Sequence, residues 1–244
     1  MSDWVRPSKD LDLHMHGVTV DDLSDLLDRA AAEVAHVGIR VEWGACKPLW
    51  RPDGTAGGEK VRVVAWLGRT RVNFEVDCWV GGERSPGMRV REVASLVPGL
   101  PPVRMLAYPL EAMAADKLHA IAQFGSANTR LKDFYDLWHL TRAGLDPMLL
   151  SECVAVVFRN NERAVALTPT LLPGFGRSFG VANGDAWAKM LSAAGRADRA
   201  PADFVEVVGR VRAFANRAFA PETPAPQPVE ADECEPSPAP FAFA

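Results

Sequence analysis

The sequence predicts an α/β protein of the α+β kind, with a mixed, largely antiparallel sheet and helices followed by an all-helical unit. Three observations carry this. Residues 10–15 alternate strictly between polar and apolar, the period of a half-buried strand. Two longer alternating runs, 60–67 and 71–80, are joined by Gly68, Arg69 and Thr70, as in a hairpin. From residue 109 onward apolar residues recur at helical spacing between breaks rich in Gly, Pro and Asn.

After a polar lead over residues 1–9, the first strand sets Leu11, Leu13 and Met15 on one face and Asp10, Asp12 and His14 on the other. A helix is expected over about 19–36, with Thr19 as N-cap and Asp21 and Asp22 in its first turn, where carboxylates suit the helix dipole. Leu23, Leu26, Leu27, Ala30, Ala31 and Val34 form its apolar stripe. Gly38 ends it, residues 39–43 read as a strand, and a loop carries Pro48, Pro52, Gly54, Gly57 and Gly58. In the second hairpin run, Val72, Phe74, Val76 and Cys78 face one way, and Asn73, Glu75 and Asp77 the other. Past this run the chain is expected to turn helical. Pro109 suits a first helical position before a helix over 110–124, and further helices are expected over 130–142, 146–160, about 185–194 and about 201–219. From Pro221 the chain is rich in Pro and acid and cannot bury enough apolar surface to order itself. The expected organisation is an α/β unit over 1–100, a helical unit over 101–220 and a disordered tail over 221–244.

A length of 244 residues suits one large domain or two small ones. The formal net charge of −4 argues against a protein that coats nucleic acid generally, which would show a basic stripe, but leaves room for one basic pocket. Cys46, Cys78, Cys153 and Cys234 are scattered without a CxxC pair, which fits neither a disulfide scaffold nor a structural zinc site. No apolar run approaches the ~20 residues needed to cross a bilayer, and the first thirteen residues hold no signal-peptide core. A reducing cytoplasm, with no membrane partner, is the expected location.

Asp10 and Asp12 are the most informative pair. Carboxylates at i and i+2 of a strand point the same way, about 7 Å apart, and their oxygens can converge on one divalent ion. Asp77 lies on the polar face of a later strand, which an antiparallel neighbour would bring close. Three carboxylates are what paired Mg²⁺ ions need to bridge phosphates and activate a hydroxyl. The plainer reading is a solvated strand edge, with Asn73 and Glu75 as ordinary neighbours of Asp77. A zinc alternative built on His14 and His16 would require a second ligand cluster, and none stands out.

A second constellation runs from Ala114 to Leu140. Lys117 sits mid-helix among small and apolar residues. On the next helix Asp133 and Asp136 lie one turn apart, and Arg130 one turn before Asp133. A lysine and an arginine presented by adjacent helices can cradle a triphosphate. The same residues can instead form an interhelical salt-bridge network among Lys117, Asp133 and Arg130.

The run YPLEAMAADKLHAIAQ…NTRLKDFYDLWHL, Tyr108 to Leu140, closely resembles the AbiEii/AbiGii toxin family, whose pattern is a YPxExxxAxKLxA helix and then an RxKDxYDL helix. RPSKDLDL resembles that family's R-x-T-x-D-[IL]-D-[LF] element, and FEVDCWVGGE its third-carboxylate strand. The resemblance covers Arg6 to about Phe219, with the motifs in the family's order. It implies a DNA-polymerase-β-like nucleotidyltransferase fold with a helical C-terminal domain. Members are toxins of toxin–antitoxin or phage-abortive systems; some transfer nucleotides to the 3′ end of tRNA, and others are described as GTP-binding. Carried over, Asp10, Asp12 and Asp77 are the metal ligands and catalytic carboxylates. Ser8, Lys117, Arg130, Lys132 and Asp133 make the nucleotide-binding set.

The resemblance thus implies Mg²⁺ as cofactor, an NTP substrate, a tRNA or protein acceptor, and a cognate antitoxin from a neighbouring gene. The family places a strand and a Gly-Gly or Gly-Ser turn before its paired aspartates, where backbone N–H groups hold the triphosphate. Here Asp10 follows only nine residues, so an N-terminally truncated member is expected, with Ser8 near the metal pair but unable to replace a glycine turn. The alternative expectation is an inactive remnant that binds only its antitoxin or another partner.

Overall fold

The computed structural model describes residues 10–219 except 18, 20, 52–53, 95–100 and 162–171. Ser8 and the expected tail from Pro221 lie outside the described residues.

The sheet forms around one hairpin. Strands β4 (Ala56–Leu67) and β5 (Thr70–Val80) pair antiparallel and turn through Gly68 and Arg69, with Gly68 at φ +58°. A positive φ of that kind costs glycine little and other residues more. β1 (Asp10–Met15) lies along the far side of β5 and β2 (Ile39–Trp43) along the far side of β4, giving the order β1-β5-β4-β2. β3 (Lys47–Trp50) also pairs antiparallel with β4, through its opening residues. The β1–β5 pair is parallel, in the register Asp10↔Glu75 and Asp12↔Asp77. Asp77 therefore reaches Asp12 across a parallel pair, not the antiparallel one the alternation suggested.

Alternation then sorts the sheet's faces. Val61, Val63, Val76 and Cys78 are buried on one face under Leu23, with Leu13, Met15, Leu27, Val41 and Phe74 packed against them. Leu23 opens α1 (Leu23–Ala35). The helix starts later than expected, because the Asp22 carboxylate folds back to accept from the Thr19 backbone N–H (2.7 Å) and hydroxyl (2.8 Å) and closes a turn ahead of it. Asp10, Asp12, His14, Lys60, Glu75 and Asp77 occupy alternate positions, pointing away from this small core.

Where the chain was expected to become helical after residue 80, it forms a second hairpin, β6 (Arg89–Val93) with β7 (Val103–Ala107). Its first strand is exposed at every residue, so no buried face marks its period.

The helices carry the larger core. They are α2 (Leu110–Phe124), α3 (Leu131–Leu140), α4 (Pro147–Asn160), α5 (Arg177–Ala182), α6 (Gly184–Ala193) and α7 (Phe204–Phe219). Phe134, Phe179, Trp187 and Phe204 meet at the centre, with Phe134 edge-on to Phe204 at 5.2 Å and Trp187 stacked on it at 4.8 Å. Asp146 caps α4 by accepting from the N–H groups of Met148 (2.9 Å) and Leu149 (3.3 Å), and Pro147 supplies a fixed φ in the first turn. No helix of the described residues is long and apolar enough to cross a membrane.

Hydrogen bonds among the described residues fasten the sheet side to the helical side. The Arg159 guanidinium donates to both Glu83 oxygens, and the Asn160 side chain donates to the Glu83 carbonyl while accepting from the Glu83 N–H, each at 3.0 Å. Nearby, His14 Nε2 donates to the Gly81 carbonyl, which leaves Nδ1 to accept from the Tyr108 hydroxyl at 2.6 Å.

Candidate functional site

The site is built on the polar face of β1 and β5. Asp10 and Asp12 stand on one side of β1, and parallel pairing sets Asp77 beside Asp12. Crossing the hairpin, β4 pairs Lys60 with Asp77, and the Lys60 amine lies 2.6 Å from Asp77 Oδ1 and 3.4 Å from Glu75 Oε2. The hydrogen bond to Asp77 holds the Lys60 ammonium above its ordinary pKa. Burial raises the Asp12 carboxyl, and Asp10 and Asp77 push it further; Lys132 and Lys60 act the other way.

Across from this face lies α2. Asp116 keeps solvent contact, yet the protein crowded around it desolvates its carboxyl and pushes it up to about 6; Lys117 opposes the shift and Asp12 adds to it. Asp12 is likewise open to solvent. Asp12 and Asp116 are thus exposed yet partly desolvated carboxyls, and the Asp12 charge reaches Asp116 across the space between β1 and α2. The Tyr108 hydroxyl at its edge is pushed up to about 12 by burial and by Asp116.

α3 closes the remaining side. Asp133 is fully buried and accepts from two cations: Arg130 Nε at 2.6 Å and Lys117 Nζ at 3.3 Å. The Lys117 amine also lies 2.7 Å from Asp136 Oδ2. The hydrogen bond to Asp133 raises the Arg130 guanidinium's already high pKa, and Asp12 and Asp10 contribute from across the cleft. The structure thus brings Asp10, Asp12 and Asp77 to one face and Lys117, Arg130, Lys132 and Asp133 to the facing helices. It also joins Lys117, Arg130 and Asp133 in the salt-bridge network that the spacing allowed.

Two members of the site escaped sequence reasoning. Counting back from the Gly68–Arg69 turn pairs Lys60 with Asp77, so the hairpin held the signal for Lys60. Asp116, an acid in an alanine-rich helix immediately before Lys117, carried a weaker one. The zinc alternative fails locally, because both ring nitrogens of His14 are committed to Gly81 and Tyr108.

Among the described residues no three His, Cys, Asp or Glu side chains converge on one metal position. That arrangement still fits Mg²⁺, which keeps several waters and commonly takes one or two carboxylates plus substrate phosphate oxygens. Asp10 and Asp12 supply hard oxygen donors; the Asp12 carboxyl is raised first by burial and then by the neighbouring Asp10 and Asp77 charges, which a bound cation would offset.

Comparison with known proteins places the chain. The family model for the nucleotidyl transferase AbiEii toxin, type IV toxin–antitoxin system, matches residues 4–215. A search of curated proteins gives no match. Among solved structures, a candidate nucleotidyltransferase from H. pylori superposes with a TM-score of 0.43 at 12% identity, covering 89% of this chain and 82% of that one. A match that takes in most of the chain, both acidic strands and both motif helices settles the family: this protein belongs to the nucleotidyl transferase AbiEii toxins.

Proposed function

We propose that the protein is a toxin that transfers a nucleotide from an NTP to an RNA acceptor, with the 3′ end of tRNA as the leading candidate. One observation supports this above the others: an acidic strand face, Asp10 and Asp12 beside Asp77, confronts Arg130 and Lys132 across an open cleft. A triphosphate needs cations on the helix side and an ion bridge on the acidic side, and this cleft offers both.

In this reading Asp10 and Asp12 hold Mg²⁺, with Asp77 as the third carboxylate. The ion supplies charge neutralisation at phosphoryl oxygens. Arg130 and Lys132 meet the phosphates. Lys117 and Asp133, tied together in the helical core, fix the Arg130 guanidinium in place. Asp116, protonated below about pH 6, is placed to exchange a proton with an acceptor hydroxyl in the cleft. Membership in a toxin–antitoxin family implies a cognate antitoxin as partner.

The test uses the full chain with α-phosphate-labelled NTPs, Mg²⁺ and total RNA. Label should enter RNA with the native protein and not with Asp12→Asn. Equal labelling by both proteins overturns the assignment.

A second reading, a protein that only binds its partner, draws on a different observation. Lys60 on Asp77, and Lys117 between Asp133 and Asp136, satisfy those charges without any ligand. Absence of labelling by the native protein with every NTP favours it.

A further inference from the structure

Further along α3, beyond the residues that face the acidic strands, lies a second group of charges. Lys132, Tyr135, His139 and Arg142 recur at steps of three, four and three residues, so they share one stripe of the helix and its C-terminal extension. At the near end Lys132 acts on Asp12. At the far end two guanidiniums lie over the Trp138 ring: Arg142 at 4.1 Å from its centroid, and Arg210 of α7 at 5.2 Å. Arg210 Nε also donates to the Thr141 hydroxyl at 2.8 Å. Between the ends, Arg196 stands over Tyr135 at 5.3 Å and donates to its hydroxyl at 3.0 Å. His139 registers the convergence. Its imidazolium is disfavoured first by burial and then by Arg142, with Arg196 and Arg199 adding and Asp136 opposing.

The aromatic rings here are supports. Trp138 and Tyr135 are 3% and 1% exposed, so neither face is open to a nucleobase. Arg142 and Arg210 themselves are exposed, and no ion pair joins either to a described carboxylate. Guanidiniums braced on a ring lose little freedom when they bind, and their planar fork matches a phosphate's oxygens. The chain as a whole carries −4, so a polyanion is repelled in general and must find a local cationic surface.

We propose that Arg142 and Arg210, braced on Trp138 at the end of the stripe that begins at Lys132, form the docking surface for the phosphate backbone of the RNA acceptor. The proposal rests on the nucleotidyl-transfer reading above. Along α3 and the turn that follows it, Lys132 and Arg142 are about 15 Å apart, at ~1.5 Å per residue. The surface therefore grips the strand several nucleotides back from the end presented to the cleft. Because it offers guanidiniums and no open ring, it reads backbone charge and tolerates any sequence.

Fluorescence anisotropy of the full chain with labelled oligouridylate and oligoadenylate, across a salt series, tests this. Arg142→Gln with Arg210→Gln should flatten the log–log salt dependence by about 1.4, at ~0.7 per single-strand phosphate contact. Affinity for the two homopolymers should fall alike. Arg142→Lys with Arg210→Lys keeps the charges, should keep the native slope, and serves as a folded control. An unchanged slope in the glutamine pair overturns the proposal. So does a loss confined to one homopolymer, or tighter binding of polyglutamate than of either RNA, which would mark a surface for an acidic protein segment. NTP binding measured in parallel separates the two levels. NTP transfer with an unaltered salt slope sinks the docking surface alone, whereas a flattened slope in a chain that binds no NTP sinks the transfer reading and keeps the surface.

Discussion

Asp12 and Asp77 occupy paired positions on neighbouring parallel strands, but among the described residues only Asp77 has a cation in contact. Lys60 Nζ lies 2.6 Å from Asp77 Oδ1 and 2.9 Å from Oδ2, while the cations that act on Asp12 do so without an ion pair. The two carboxylates therefore differ in what they can offer a metal: Asp12 is available, and Asp77 must be shared with a lysine.

Lys60→Met should tighten Mg²⁺ binding, because it frees Asp77 and removes a positive charge from the acidic face. The fold should lose little. The pair is partly exposed, at 32% and 18% for the two side chains, and such pairs contribute about 1 kcal/mol or less. Titration calorimetry with Mg²⁺ on both proteins checks it; weaker binding by the variant would show that Lys60 orders the site instead of competing for it.

Asp116 makes a pH prediction. Its carboxyl is raised from 3.8 to about 6, so between those values the folded protein binds a proton that the unfolded chain has lost. Stability from this group is therefore present below about pH 4 and declines as pH rises towards 6. Asp116→Asn should melt higher than the native protein at pH 7 and converge with it near pH 4. A melting difference that is constant across that range would contradict the shift. In transfer assays the variant should lose activity at neutral pH despite its greater stability.

Much of the fold that positions these residues was legible in the sequence, for identifiable reasons. Strands β1 and β2 and helix α2 coincide with the expected 10–15, 39–43 and 110–124, because each turns one face towards a core and so displays its period, or is bounded by a Gly or Pro that ends it. The missed elements lack those marks. β3 holds Pro48, tolerated only at a sheet edge, and β6 is exposed at every residue. The partner of Asp77 was a question of register, and the two-residue turn answers it only once its length is known. The direction of the β1–β5 pairing is set by the chain's path through α1 and β2 to β4, which no local pattern records.

The junction between sheet and helices permits a comparison of magnitudes. Arg159→Ala removes an ion pair whose side chains are 54% and 52% exposed and should cost under about 1 kcal/mol. Asn160→Ala instead removes two hydrogen bonds to the Glu83 backbone, each at 3.0 Å, and should cost more, about 1–2 kcal/mol. Urea denaturation of the two variants gives the order directly, and a larger loss from Arg159→Ala would reverse the argument.

Lys117 has an amine that the sequence allowed to serve either phosphate or carboxylate. In the structure it lies 2.7 Å from Asp136 and 3.3 Å from Asp133, and the carboxylates are only 6% and 0% exposed. Removing one partner of a buried pair leaves an uncompensated charge, typically at a cost of about 3–5 kcal/mol. Asp133 retains Arg130 at 2.6 Å, so the lower end of that range applies. Lys117→Met should therefore destabilise the fold by about 3 kcal/mol. Asp136→Asn in the same chain should recover part of this, because the amide needs no cation. The coupling energy from the double-mutant cycle measures the pair itself. NTP affinity, measured where both variants remain folded, should fall little if Arg130 and Lys132 carry the phosphate contacts, as the proposed function has it. Native stability in Lys117→Met together with lost NTP binding would return the amine to the phosphate and leave the two buried carboxylates to be satisfied by Arg130 and their remaining hydrogen bonds.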